Sequence, residues 1–506
     1  MVFSEHLFLL VFLPVCLAGF HLLRHIGLYR GSALWLVVFS FIFYGYWNLA
    51  YLAILIISIF VNYLLGLYLY RAKQSFMSLL AMLSGVVFNL GLIFYFKYAG
   101  FLLYDVAQVS ELEWLAREIL LPIGISFFTF QQVAYIVDCR AGRTYEPSLI
   151  NYMLFISCFP QLIAGPVVNH KYVGSQYEAL TREGQINQTI IKFGLILFVI
   201  GLAKKVLLAD TIGRGVDPMF DATLQGGEVG FWQAWFMVSA YRVQLYFDFS
   251  GYSDMAIGLA ALFGFRLPIN FNSPYKSKSI IELWGRWHMT LSRFVRDYVY
   301  IPLGGSRHGK AVQLRNIFIG MFLIGIWHGA AWTFVWYALA MASAVCFNHM
   351  VRIFWPAFTA WNTLFARAFK QTLTLMFYFG TGALFRAENM DSANAILYGL
   401  FGFGHGQALA FPIIEPLFLI FCIIALCITL YTPNSLQITR YTEDLSKSWP
   451  NEEESAAAVK PKGYGYVEPI SLHLEKYRLT YFICGLLVAI CIAAGWQPAI
   501  FIYFNF

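Results

Sequence analysis

Long apolar stretches separated by short polar ones run through the whole chain. Stretches near 7–22, 32–48, 50–70, 76–96, 186–208, 229–247, 313–346, 368–385, 411–431 and 478–496 carry little charge. A helix crossing about 30 Å of hydrocarbon needs roughly 20 mostly apolar residues, so these stretches predict membrane helices. Four more, 119–137, 150–168, 253–269 and 287–303, are apolar but interrupted by Pro, Gly or charge. They read as re-entrant or tilted helices, tolerated at membrane depth only when buried in protein or lining a cavity. The pattern as a whole predicts an all-α integral membrane protein with roughly ten to thirteen membrane helices. No long polar linker divides it, so residues 1–506 are expected to form a single membrane domain. A polar loop at about 433–477, with NEEESAAAVKPKGYGY at its core, is expected before the final span. No internal repeat is visible, which leaves an inverted-repeat transporter without support.

Composition strengthens this picture. Of 506 residues, 59% are hydrophobic and 12% charged, whereas a soluble domain carries about 25% charged residues. The net charge of +7 does not point to nucleic acid, because most Lys and Arg sit in short segments between apolar runs, where they act as topology signals. Eight cysteines, with no C-x-x-C pair, indicate neither a disulfide framework nor a zinc ribbon. The opening run lacks a basic segment before it and is followed by Arg24 and Arg30, so it reads as an uncleaved first span. Arg24, Arg30, Arg71 and Lys73 set against the acid-rich stretch 105–118 place the N-terminus outside the cytoplasm. The richest basic stretch, 276–315, holds Lys276, Lys278, Arg286, Arg293 and Arg296 and is expected to face the cytoplasm. It would serve as an anchor for anionic lipid headgroups, a landing site for an anionic donor, or both.

Candidate chemistry centres on two of the ten histidines. His328 lies deep in an apolar run, beside Gly325, Gly329, Ala330 and Ala331, small residues that allow close helix approach or leave a void. An ionisable group at membrane depth marks a functional site by default, although a histidine bonded to a neighbouring helix would look the same in sequence. Imidazole can take or give a proton near neutrality, as deprotonation of a hydroxyl attacking a thioester requires. His288 would share a helical face with Trp284, Ser292 and Arg296. A third polar cluster gathers Gln244, Asp248, Ser250, Ser253 and Asp254. Its two carboxylates would orient a histidine, pair with Arg242 or Arg286, or belong to a structural helix-to-helix network. Lys204 and Lys205 are expected to extend to the membrane interface. His21 and His25 have no third ligand nearby, so no metal site is expected. Walker A, Rossmann and G-x-S-x-G motifs are absent, so nucleotide-powered transport is not indicated.

The stretches LPIGISFFTFQQVAYIVD, FPQLIAGPVV, QLYFDFSGYSDMAIG, FNSPYKSKSIIELWGRWHMTLSRFVRDYVYIPLGG, GIWHGAAWTFV and LFRAEN together resemble the membrane-bound O-acyltransferase (MBOAT) superfamily. Within it they are similar to the bacterial branch typified by the membrane subunit of alginate O-acetylation, and the similarity extends over nearly the whole chain. The resemblance implies helices around a central tunnel, with His328 at the signature histidine and His288 at the second polar position. One departure is Gly285, which stands where the family usually carries a second basic residue. Also implied is transfer of an acetyl group from a cytoplasmic donor, acetyl-CoA, with no resident cofactor. Delivery would be across the bacterial inner membrane to a periplasmic acetyl-accepting or acetyltransferase protein, or directly to a glycan. Trp284, Trp287 and Trp327, with Gln244, Asp248, Ser250 and Asp254, would line the path, and the basic stretch would attract the CoA phosphates. Alginate is the expected acceptor, with cellulose or peptidoglycan as alternatives; the extension beyond about residue 411 favours polysaccharide acetylation over D-alanylation. A flippase of an acylated intermediate and a scaffold for a periplasmic enzyme are the competing functional classes.

Overall fold

The computed structural model describes residues 1–72, 74–107, 121–182, 186, 188–226, 228–403, 415–439 and 477–495. Among these, the chain is predominantly helical and forms no β-strand. Most of the expected polar loop at 433–477 and of the acid-rich stretch 105–118 lies outside the described residues, as does Lys73.

The apolar runs correspond closely to helices. The first four are α1 (Phe8–His25), α2 (Tyr29–Gly45), α3 (Leu49–Arg71) and α4 (Phe76–Phe101). Next come α5 (Ile125–Arg140), α6 (Leu149–Ser157), α7 (His170–Arg182), α8 (Gln188–Ala203), α9 (Asp210–Ala222) and α10 (Phe231–Leu262). The sequence then forms α11 (Ile280–Trp284), α12 (Met289–Val295), α13 (Lys310–His328), α14 (Trp332–Phe354), α15 (Leu364–Gly380) and α16 (Gly382–Arg386). Last are α17 (Met390–Leu400), α18 (Pro416–Tyr431) and α19 (Tyr477–Ala494). Five of the described helices, α1, α3, α4, α13 and α14, are long and apolar enough to cross a membrane. Other expected runs become helices of 16 or 17 residues, such as α2, α8, α15 and α18. The chain is a multi-pass membrane protein.

The continuous apolar run 313–346 is cut in two. Gly329 adopts extended backbone after His328, and Ala331 caps the next helix. Gly325 explains how closely the two halves approach: a Cβ there would collide with the Cα of Ala338 on α14. The small residues around His328 thus serve close packing.

Two compact units emerge. The first comprises residues 1–203, 251–269 and the described part of 435–498; the second comprises 204–250 and the described part of 270–434. In the first, α3, α4 and α5 are joined by fully buried polar side chains. Ser58 donates to Gln132 Oε1 at 2.6 Å, Asn62 donates to the same oxygen at 3.0 Å, and Asn89 donates to Asn62 Oδ1 at 2.6 Å. Hydrogen bonds of this kind link helices in lipid, where apolar contact gives little net drive. Arg24, expected as a loop charge, is buried in this unit and donates to the Leu180 carbonyl at 2.6 Å, while Arg30 and Arg71 are exposed.

Candidate functional site

The second unit contains both singled-out histidines. His328 is the last residue of α13, 4% exposed and enclosed by rings. Its imidazole centroid lies 5.0 Å from Trp327, 5.0 Å from Phe385 and 6.2 Å from Tyr337. Trp327 also faces His288, at 6.2 Å, so a single indole stands against both imidazoles.

His288 is not on the continuous helical face expected from sequence. α11 ends at Trp284, and His288 takes a left-handed conformation, φ 44° and ψ 52°, as the cap of α12. The Trp284 carbonyl nevertheless accepts from the Ser292 hydroxyl at 3.3 Å, tying the two short helices together. Left-handed backbone is costly for a residue with a Cβ and persists only where the surroundings enforce it; such residues concentrate at functional sites. Asn270 supplies much of that enforcement. Its carboxamide oxygen accepts from His288 Nδ1 at 3.1 Å, Thr290 N at 3.3 Å and Thr290 Oγ1 at 2.9 Å, and its carbonyl accepts from Met289 N at 3.0 Å. An acceptor at Nδ1 dictates the tautomer, leaving the lone pair on Nε2. Phe249 meets the ring edge-on at 4.9 Å. Ser273, the other described non-glycine residue with positive φ, lies in the same segment at φ 46°. The fragment INFNSP, just ahead of WGRWH, was the available clue to Asn270, but neither charge nor periodicity distinguishes it.

Trp284, Trp287 and Trp327 are all buried. Trp287 stacks near-parallel to Tyr275 at 6.3 Å and meets Phe271 edge-on at 5.0 Å. Trp284 has a buried indole N–H with no hydrogen-bond partner among the described residues.

The acidic cluster divides between the units. Asp254 belongs to the first, where it accepts from Ser435 at 2.5 Å. In the second, Asp248 pairs with Lys205 at 2.5 Å, and Lys205 also pairs with Asp210 at 2.7 Å. Lys205 is 3% exposed and so does not reach an interface as expected. A π-helical turn over Lys204–Ala209 turns it inward, where two carboxylates compensate its lost hydration. Lys204 instead donates to Ser250 at 3.4 Å and lies over the Tyr246 ring. Gln244 sits against Gly213 of α9. Neither Arg242 nor Arg286 pairs with Asp248 or Asp254; Arg286 pairs with Glu282 at 2.9 Å.

The basic stretch is partly engaged. Lys276 donates to the Thr432 carbonyl at 2.6 Å, Arg286 to the Asn272 carbonyl at 3.3 Å, and the exposed Arg296 pairs with Asp297 at 2.7 Å. Arg293 is half-buried on α12. Partial burial lowers the Lys278 pKa against the pull of Glu282, and Arg367, Lys370 and Arg286 lie close enough to lower it further. The patch thus gains residues from α15 that lie far away in sequence.

Apolar helices of spanning length, with two buried histidines meeting across an indole, define a multi-pass membrane protein with ionisable side chains inside its helical core. The chain belongs to the membrane-bound O-acyltransferase (MBOAT) family, which residues 73–386 match, and it is an acyltransferase. A peptidoglycan O-acetyltransferase of Helicobacter pylori is 36% identical, over 79% of this chain and 80% of that protein. A probable alginate O-acetylase of Pseudomonas aeruginosa is 38% identical, over 80% of this chain and 76% of that protein. A teichoic acid D-alanyltransferase of Bacillus subtilis is 29% identical over 48% of this chain and 64% of its own length.

Proposed function

We propose that this chain transfers an acetyl group from acetyl-CoA toward a polysaccharide outside the cytoplasm, with His328 as the base. The observation that carries the reading is a buried imidazole at the carbonyl end of a 19-residue helix, walled by aromatic rings and sharing Trp327 with His288. The partial negative charge of that helix end favours the imidazolium formed when the base accepts a proton. In this reading a hydroxyl attacks the thioester carbonyl while His328 removes the hydroxyl proton. His288, fixed by Asn270, positions the thioester or the hydroxyl.

Trp284, Trp287 and Trp327 border the acyl path, and the cluster of Lys276, Lys278, Arg286, Arg293 and Arg296 draws in the CoA phosphates electrostatically. The protein resides in the bacterial inner membrane with its N-terminus periplasmic, and a periplasmic protein receives the acetyl group or guides it to the glycan. Relatives named for alginate and for peptidoglycan are about equally similar in identity, so both acceptors are carried into the test.

The test uses membranes containing the full-length chain, its partner proteins and radiolabelled acetyl-CoA, with label counted in purified alginate and purified peptidoglycan. His328→Ala protein that is monodisperse in detergent is expected to leave both glycans unlabelled. Normal labelling by that folded variant would reject His328 as the base. Movement of an already acetylated glycan without consumption of acetyl-CoA would support the flippase instead.

A further inference from the structure

Among the described residues, Arg242 is the largest fully buried side chain. It lies on α10 within the second unit, and no carboxylate of the described residues forms an ion pair with it. Its Nη2 donates to Thr381 Oγ1 at 2.9 Å. Three rings surround the guanidinium carbon: Tyr378 at 4.3 Å, Phe385 at 5.2 Å and Tyr337 at 5.8 Å. The Tyr337 and Tyr378 side chains are also electrostatic neighbours of the guanidinium. Nε remains buried with no partner. Gly382 lets the backbone pack close against this side chain, since a Cβ there would stand 3.3 Å from Nε.

A buried cation surrounded only by neutral groups is expensive, and cation–π contact recovers part of the cost. The aromatic walls place this cation relative to the chemistry. Phe385 and Tyr337, which cover the guanidinium, are also the rings that flank His328. One pair of rings thus borders both a fixed positive charge and the proposed base.

We propose that Arg242 is the electrostatic partner of His328, holding the acyl oxygen while that oxygen carries negative charge. This rests on acetyl transfer at His328. The acceptor oxygen forms a bond to the thioester carbonyl carbon, its proton passes to His328, and the carbonyl π pair moves onto the acyl oxygen beside Arg242. On collapse the carbonyl reforms, the carbon–sulfur bond breaks, and the departing sulfur takes the proton back from His328. A preorganised donor aimed at developing charge, in a site that excludes water, acts only in the transition state. Arg suits the role better than Lys because its planar fork keeps its charge when buried and holds several donors in fixed directions.

The test compares wild type, Arg242→Ala and Arg242→Met as full-length protein, with radiolabelled acetyl-CoA in membranes containing the partner proteins. The expected result for Arg242→Ala is a fall in kcat of about 100- to 1000-fold, with KM for acetyl-CoA nearly unchanged. Added guanidinium ion should restore part of that kcat in Arg242→Ala and leave His328→Ala inactive. Arg242→Met keeps the apolar stem and should lose kcat to a similar degree while retaining the folded state. Wild-type kcat in either folded variant overturns the proposal, as does a loss in Arg242→Ala that guanidinium cannot restore. If His328→Ala stays active, the acetyl-transfer assignment beneath it fails; if only the Arg242 variants stay active, that assignment stands.

Discussion

The two units differ in the buried polar groups that join their helices. In the first, Ser58, Asn62, Asn89 and Gln132 are neutral amides and a hydroxyl that hydrogen-bond to one another across three helices. Even its buried histidine is clamped, with His170 held by Thr144 at 2.5 Å and Glu146 at 3.2 Å. In the second, the buried polar groups include a guanidinium with no carboxylate, a lysine between two aspartates, and a histidine in left-handed backbone. Neutral groups that hydrogen-bond to one another stabilise a membrane fold at modest cost. A buried charge without a counter-ion and strained backbone are costly, and they concentrate at functional sites. Within the second unit, the contrast sets the strained His288 and the carboxylate-free Arg242 apart from the Lys205 ion cluster, which holds the fold together.

That contrast can be broken by mutation. The largest effect is expected from His328→Ala, a loss of acetyl transfer of at least about 100-fold with an unchanged elution profile in detergent. A folded protein with normal turnover would show the second unit to be as structural as the first.

Lys205→Met should destabilise the fold more than any of the other substitutions. It leaves Asp210 and Asp248 facing each other without their cation, which costs about 3–5 kcal/mol. Thermal unfolding in detergent would measure it, and an unchanged midpoint would mean the triad is hydrated.

Asn270→Ala should lower kcat by about 10- to 100-fold through loss of His288 placement, with KM for acetyl-CoA little altered. Asn270→Asp keeps the accepting oxygen and should recover much of the rate. Equal damage by both substitutions would assign Asn270 a purely structural role.

The smallest effect belongs to the first unit. Asn62→Ala should cost about 1–2 kcal/mol of stability and leave activity per folded molecule at the wild-type level. A fall in kcat greater than the loss of folded protein would erase the distinction between the units.

Much of the fold was legible in advance because lipid imposes a simple rule. A segment that spans hydrocarbon must be helical and apolar, and length alone then identifies it. The helices α1 to α4 begin and end within a few residues of the apolar runs. Sequence pattern could not show where a run breaks, as at Gly329–Ala331, because Gly and Ala are equally at home inside a membrane helix. It also misplaced Lys205, since a lysine next to an apolar run looks the same whether it extends to the interface or turns inward to a carboxylate.

His328 and His288 were visible from sequence because an imidazole among apolar neighbours has few explanations. The identities of the residues that surround them were not. Asn270, Arg242, Tyr337 and Phe385 come from separate helices and loops, and nothing in the one-dimensional pattern pairs them. Amino-acid order by itself determined that this is a helical membrane protein and which two imidazoles stand out as candidates for its chemistry, because hydropathy and ionisability are properties of single residues and short windows. Tertiary structure alone decided which oxygen fixes His288 and which rings wall His328. It also decided which carboxylates neutralise Lys205 and which cation receives none, because partnership is a distance between residues that the chain keeps far apart in sequence.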